Sequence, residues 1–288
     1  MIAKAFAPGH ISGFFEPVYN QDLSRTGSRG AGINITFGSV SEVSAENSTT
    51  QEIDIYVNNR KSNAPVIRLA IKYLIGDSPV KVVIKTKYEI PVGQGFGMSA
   101  GGALSATYAL AKIFGISSND AIRASHFAEV QLKTGLGDVI ASSFGGIEIR
   151  KSAGLPPWGV IEHIPGKGDL VICVVGKKLN TKKILEDTNK IAKITDYGKF
   201  CTKKILQKPS FENLFTLSQA FTKNTNLADE KVLSAINTAS KFGLASMCML
   251  GNSIFAMGKT NELCNALSSF GKIFVCSVDE FGARVIDD

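Results

Sequence analysis

The chain is poor in the features that mark several functional classes. Its 288 residues hold only five cysteines (Cys173, Cys201, Cys248, Cys264 and Cys276), an odd number with no Cys-x-x-Cys spacing. That argues against a disulfide framework and a structural zinc site, and it fits a reducing compartment. No apolar run approaches the ~20 residues that a membrane-spanning helix needs. The segment Met1-Ile-Ala-Lys-Ala-Phe-Ala-Pro-Gly9 breaks too early for the apolar core of a secretory leader, so a cytoplasmic location is expected. Internal repeats and low-complexity tracts are absent. No run of like charge forms a tail, although the net charge is +7 and lysines pair at Lys177-Lys178, Lys182-Lys183 and Lys203-Lys204. Those pairs read as solvated helix faces, so neither nucleic acid nor a membrane is expected as a partner.

What remains is an ordinary globular composition, 44% hydrophobic and 20% charged, long enough for a sizeable core or two modest ones. The 28 glycines fall in short clusters, which marks places where backbone turns tightly or approaches a ligand. Strand-like segments are Ala3–Ala7, Gly32–Val43, Glu52–Val57, Val80–Lys87 and Ile147–Arg150. Helical ones are Ala64–Leu74, Ser99–Phe114 and Ser118–Lys133, the last capped by Ser118 or Asn119, with a short turn from Asp138. Gly154 and Pro156-Pro157 suggest a boundary around Ser152–Trp158, giving regions 1–152 and 153–288. Beyond it come a strand at Asp169–Val175, several helices from Thr181 to about Phe242, then strand, strand, helix, strand. The pattern is α+β in both halves.

The most informative stretch is Pro91-Val-Gly-Gln-Gly-Phe-Gly-Met-Ser-Ala-Gly-Gly102. Glycines that open a helix present free backbone N–H groups and the positive end of the helix dipole, and both favour phosphate. Ser99, at the helix start, is placed either to cap the helix or to bind a phosphate-bound metal. Two other phosphate motifs fit poorly. A Walker A loop is absent, because Gly166-Lys167 is followed by Gly168 and Ile161 stands where its first glycine belongs. A dinucleotide fingerprint at Gly95, Gly97 and Ala100 would need a strand running directly into the loop, whereas Pro91 and two further residues intervene.

The same stretch resembles the Pro-x-x-x-Gly-Leu-Gly-Ser-Ser-Ala-Ala signature of the GHMP kinases, the superfamily of galactokinase, homoserine kinase and mevalonate kinase. Pro91, Gly95, Gly97, Ser99 and Ala100 match; Met98 replaces the first serine. The resemblance implies that ATP is cradled by Pro91, Gly93, Gly95, Gly97, Met98, Ser99, Ala100 and Gly101. It also implies that Ser99 and Glu129, on the next helix, hold Mg²⁺. Gly135-Leu-Gly-Asp138 ahead of Gly145-Gly146 resembles the family's Gly-x-x-Asp turn, which implies Asp138 as base or orienting group for the acceptor hydroxyl. Pro8-Gly9 stands at the family's N-terminal motif. Ser246–Asn252 resembles its C-terminal glycine-rich loop only weakly, most of the glycines being missing. The implied fold has a ribosomal S5 domain 2-like N-terminal half and a ferredoxin-like C-terminal half.

Within the superfamily, Phe6-Ala-Pro-Gly-His-Ile-Ser-Gly-Phe-Phe15 and Gly27-Ser-Arg-Gly-Ala-Gly32 resemble the archaeal pantoate kinases. That implies transfer of the ATP γ-phosphate to pantoate, giving 4-phosphopantoate for coenzyme A synthesis. Another GHMP kinase, for shikimate, homoserine or a mevalonate derivative, is the alternative. A carboxylate-bearing acceptor needs a cation or a helix N-terminus. Arg29, Arg150 and His126 are candidates, with Ser28 and His10 as hydrogen-bond donors. Nothing in the sequence decides between a monomer and a homodimer.

Overall fold

A computed structural model describes residues 1–179 and 184–286. The expected helical start at Thr181 and the Lys182-Lys183 pair lie outside them. Two sheets carry the architecture. The larger runs β12-β1-β2-β5-β3-β4, with β6 and β7 branching from β2. Its members are β1 (Ile2–Val18), β2 (Gly27–Asn47), β3 (Glu52–Val57), β4 (Arg60–Lys61), β5 (Val80–Tyr88), β6 (Ile147–Ser152), β7 (Val160–Ile164) and β12 (Arg284–Ile286). The second runs β11-β8-β10-β9, built from β8 (Asp169–Val174), β9 (Gly243–Met247), β10 (Ser253–Gly258) and β11 (Lys272–Ser277).

The strand β1 is far longer than the expected Ala3–Ala7. It passes straight through Pro8-Gly9, where the register against β2 shifts. A bulge tolerates proline and glycine inside a strand, so residues that read as breakers mark an irregularity. In the same way β2 extends well beyond Gly32–Val43 at both ends. It forks: Gly30–Ile33 pair with β6, whereas Ser39–Asn47 pair with β5.

Helices α1 (Pro65–Ile75), α2 (Met98–Phe114), α3 (Ser118–Leu132) and α4 (Asp138–Phe144) follow in the N-terminal half. The parallel pairing of β3 with β5 makes α1 a crossover helix. Ala100, Gly101, Gly102 and Ala103 of α2 are buried and let it lie close against the sheet. The cap of α3 is Ser117, whose hydroxyl accepts from the Asp120 N–H, one residue before the expected Ser118.

Further on come α5 (Thr188–Gln207), α6 (Phe211–Thr225), α7 (Glu230–Ala239) and α8 (Thr260–Leu267). With β8 to β11 they form a βαββαβ arrangement, antiparallel throughout, the order expected of a ferredoxin-like half. One apolar core joins the sheets: Ile11 and Phe14 of β1 and Ile33 of β2 with Leu214, Phe215 and Phe221 of α6. Phe221 meets both Phe14 and Phe15, with ring centroids 6.5 and 6.0 Å away. The division expected at residue 152 falls within the β6–β7 hairpin, and the chain passes to the second sheet between Ile164 and Asp169 before β12 returns to β1. No helix among the described residues is long and apolar enough to cross a membrane.

Candidate active site

A cavity of about 450 Å³ opens where the glycine-rich loop, the turn before α4 and the β9–β10 turn converge. Gly93, Gly95 and Gly97 all have φ between +60° and +80°, which other residues adopt only at a cost. A Cβ at Gly95 would also stand 2.8 Å from the carbonyl oxygens of Cys248 and Met249. The loop is therefore held against the C-terminal half. The Gln94 side chain donates to the Gly176 carbonyl (3.0 Å) and accepts from Ser253 Oγ (3.2 Å), and Leu179 N–H donates to the Gly93 carbonyl. Sequence reading found only a degenerate glycine motif around residue 251. What that turn supplies is backbone that closes over the loop.

The loop delivers the chain into α2, whose first residue is Met98. No side chain caps this helix, and no acid lies in its first turn. Its first residues, Met98, Ser99 and Ala100, line the cavity, and the first N–H groups of a helix have no intrahelical partner. A helix end contributes only about 0.3–1 kcal/mol toward an anion, so the left-handed glycines and the absence of side chains matter as much as the dipole. Met98 is buried in the apolar core.

Two carboxylates face the same cavity. Glu129, on α3, is only 2% exposed and is hydrogen-bonded by the hydroxyls of Ser99 and Thr134, the latter at 2.8 Å. Burial pushes its carboxyl up to about 7; the Ser99 and Thr134 hydrogen bonds oppose this and the nearby charge of Asp138 reinforces it. Among the described residues no cation pairs with it, so this buried carboxylate served by hydroxyls is a hard-oxygen site short of positive charge. The Ser99–Glu129 pair therefore fits a magnesium ion.

Asp138 is the first residue of α4, after Gly137. Burial raises its carboxyl, but the His10 hydrogen bond and the charges of His10 and Arg150 outweigh it and hold the group below the ordinary carboxylate range. His10 Nδ1 lies 2.7 Å from Asp138 Oδ1, and its Nε2 lies 2.9 Å from Glu148 Oε1. Arg150 contacts the same Glu148 oxygen and reaches Ser12 Oγ at 3.2 Å. A Cβ at Gly137 would stand 2.3 Å from Ser28 Oγ and 2.8 Å from Arg150 Nε, so the guanidinium lies directly behind the Gly135–Gly137 turn.

Of the residues expected in the site, Ser28, Gly93, Gly95, Gly97, Met98, Ser99, Ala100, Glu129 and Asp138 line the cavity. Pro91 and Gly101 flank it. Arg150 and His10 lie one layer behind, both buried. Arg29 and His126 stand elsewhere. The Arg29 guanidinium donates to Glu16 (3.0 Å) and to the Lys151 carbonyl. The His126 Nε2–H donates to the carbonyls of Leu23 and Thr26, and burial lowers its basicity. His126 shares the face of Glu129, as the three-residue spacing requires, but sits one turn further from the cavity and ties down the β1–β2 connection. Sequence reading missed Ser12, Thr134 and Lys178, which also line the cavity. Thr134 stands just before the Gly135 turn and Ser12 lies inside the Phe6–Phe15 segment, whereas Lys178 carried no signal.

The GHMP kinases N terminal domain matches residues 64–146. A pantoate kinase of Methanocaldococcus jannaschii is 36% identical over 95% of this chain and 99% of its own length. One of Thermococcus kodakarensis is 32% identical over 91% of this chain and 89% of its own. Among solved structures, a phosphotransferase related to the CoA biosynthesis pathway superposes with a TM-score of 0.90, at 29% identity and 99% coverage of both chains. A homoserine kinase from Cytophaga hutchinsonii, at 15% identity and TM-score 0.72, shares the fold. The chain belongs to the pantoate kinase family of the GHMP kinases.

Proposed function

We propose that this chain transfers the γ-phosphoryl group of ATP to the hydroxyl of pantoate. The observation that carries this reading is one cavity holding an uncapped helix N-terminus, a Ser99–Glu129 pair short of positive charge, and Asp138. Phosphoryl transfer depends mainly on positioning and on charge placed where it develops. The loop from Pro91 to Gly97 and the first N–H groups of α2 bind the phosphates. Ser99 and Glu129 would hold Mg²⁺, which would neutralise phosphate charge when bound. Asp138 accepts a hydrogen bond from the acceptor hydroxyl, fixes its direction and takes its proton. Ser28 and Ser12 offer hydroxyls to the acceptor, and the Arg150 guanidinium behind them, although paired with Glu148, is a cation placed for its carboxylate. Five free thiols suit a reducing cytoplasm.

The direct test is turnover with ATP and Mg²⁺ against pantoate, shikimate, homoserine and mevalonate, read by ADP release and by ³¹P spectra of the product. Pantoate is expected to give a phosphomonoester. Turnover of another acid with none of pantoate would sink the assignment of substrate while keeping the kinase.

A further inference from the structure

Behind Asp138, His10 and Glu148 join Arg150 in a chain of charges, and the phosphoryl-transfer reading leaves those two unused. Three strands build it. His10 and Ser12 come from β1, Glu148 and Arg150 from β6, and β2 runs between them. In register, Gly30 stands opposite Arg150 and Gly32 opposite Glu148. Neither glycine has a side chain, so this face of the middle strand is bare and the β6 side chains reach across it to β1. The clearance is needed: a Cβ at Gly32 would stand 2.3 Å from His10 Nε2 and 2.9 Å from Glu148 Oε1, and one at Gly30 would stand 3.1 Å from Arg150 Nη2. The glycine pattern of Gly27–Gly32 thus has a physical purpose, which is to make room for an ion chain.

His10 and Glu148 are wholly buried. His10 bridges two carboxylates, one from each ring nitrogen. With both carboxylates ionised, each only accepts, so the ring donates from both nitrogens as an imidazolium; the Arg150 guanidinium, with Nη1 3.3 Å from Nε2, lies beside that second bond. The ring's charge and that of Arg150 then balance Asp138 and Glu148. The groups facing His10 are Asp138 from α4 and Glu148 and Arg150 from β6. From β2 come Gly32 and Asn34, and the backbone N–H of His10 donates to the Phe96 carbonyl of the phosphate loop. With Oδ1 of Asp138 engaged, Oδ2 turns toward Gly135 at the cavity wall.

We propose that Glu148 and His10 are positioning residues: Glu148 keeps His10 doubly protonated, and the imidazolium clamps one oxygen of Asp138 so that only the other meets the acceptor hydroxyl. This rests on the kinase reading, in which Asp138 is the group at the acceptor. Burial alone would lower the basicity of His10, but the hydrogen bonds and charges of Asp138 and Glu148 outweigh it and raise it.

The decisive variant is Glu148→Gln, which keeps the shape and removes the charge. It is expected to lower kcat about ten-fold or more with KM for ATP and acceptor within about two-fold, as misorientation of one reacting group would. Its alkaline loss of activity is expected at lower pH than in the parent, because the imidazolium has lost its counter-ion. A packing role alone would change melting without moving that limb. A kcat within two-fold of the parent and an unmoved alkaline limb would overturn the proposal. Should the variant fail to fold, ¹⁵N spectra of the parent protein decide. With only three histidines in the chain, the His10 ring is readily distinguished, and two protonated nitrogens near neutral pH are expected; a single N–H there overturns the clamp. That measurement needs no substrate, so it separates failure of the clamp from failure of the kinase reading, which the turnover screen tests.

Discussion

The two carboxylates at the cavity are treated in opposite ways by the same fold. Glu129 is buried among hydroxyls and is pushed up to about 7, whereas Asp138, partly open at 26% exposure, is held down by His10 and Arg150. One corner has its cation built in and the other lacks one. Burial acts on both in the same direction, so the difference comes from neighbours. The fold thus leaves a charge deficit where an exchangeable metal belongs, and supplies fixed charge where a side chain must stay ionised and aligned.

Removing the fixed corner should have the largest effect. Asp138→Asn keeps the size and one acceptor oxygen but cannot take a proton. We expect kcat to fall by about 10³-fold, in the upper part of what a positioned acid–base group contributes, with nucleotide affinity largely kept. Steady-state rates beside nucleotide titration of the same variant measure both. Unchanged turnover would remove Asp138 from the chemistry and erase the contrast between the corners.

The deficit corner should respond in two directions at once. Glu129→Gln removes an uncompensated buried charge, so the metal-free protein should become more stable by about 1 kcal/mol. The same change should cut activity about 10–100-fold and raise the Mg²⁺ concentration needed for half-maximal rate. Thermal melting without metal, set beside a magnesium titration of activity, reads both signs. A variant less stable than its parent would mean that Glu129 is satisfied where it stands, and the site short of charge would be no metal site.

The fixed corner also carries a pH signature. The folded value of His10 is raised above 6.5. Its contribution to stability is therefore complete below that unfolded value and is lost as pH rises through the folded one. The melting difference between the parent and His10→Asn should be largest on the acid side of 6.5 and shrink toward alkaline pH. A difference that grows with pH would show that His10 is neutral in the fold.

These contrasts were unevenly legible in the sequence. Ser99, Glu129 and Asp138 stood out because each is held by local chain chemistry: a glycine loop into a helix, the next helix, and a Gly-x-x-Asp turn. Glu148 did not. Alternation along β6 set the even positions apart from Ile147 and Ile149, and such a face is ordinarily solvated; here Glu148 and Arg150 are buried against His10 and Ser12 of β1, with the Gly137 turn beside Arg150. That cover is a long-range pairing across β2, which no local pattern encodes. The length of β1 and the existence of β7 and β12 were hidden for a related reason: proline and glycine read as breaks, while the sheet absorbs them at a bulge. The reach of α6 onto β1, through Phe221, is likewise visible only once the two sheets are joined.

The smallest predicted effect is the sharpest check on which cation serves the acceptor. Arg29 and Arg150 are equally attractive by spacing, both lying in glycine-flanked strands. The structure separates them by side: Arg29 turns to Glu16 and is 29% exposed, whereas Arg150 points behind the cavity at 2%. A part-exposed pair of that kind contributes about 0–1 kcal/mol. Arg29→Ala should therefore leave KM for the acceptor within about two-fold and shift stability by less than about 1 kcal/mol. Ser28→Ala, which removes a hydroxyl lining the cavity, should raise that KM several-fold, about 1 kcal/mol of binding. If Arg29→Ala were the more damaging of the two, the acceptor carboxylate would lie on the outer side of β2, and the charged corner behind Asp138 would serve alignment alone.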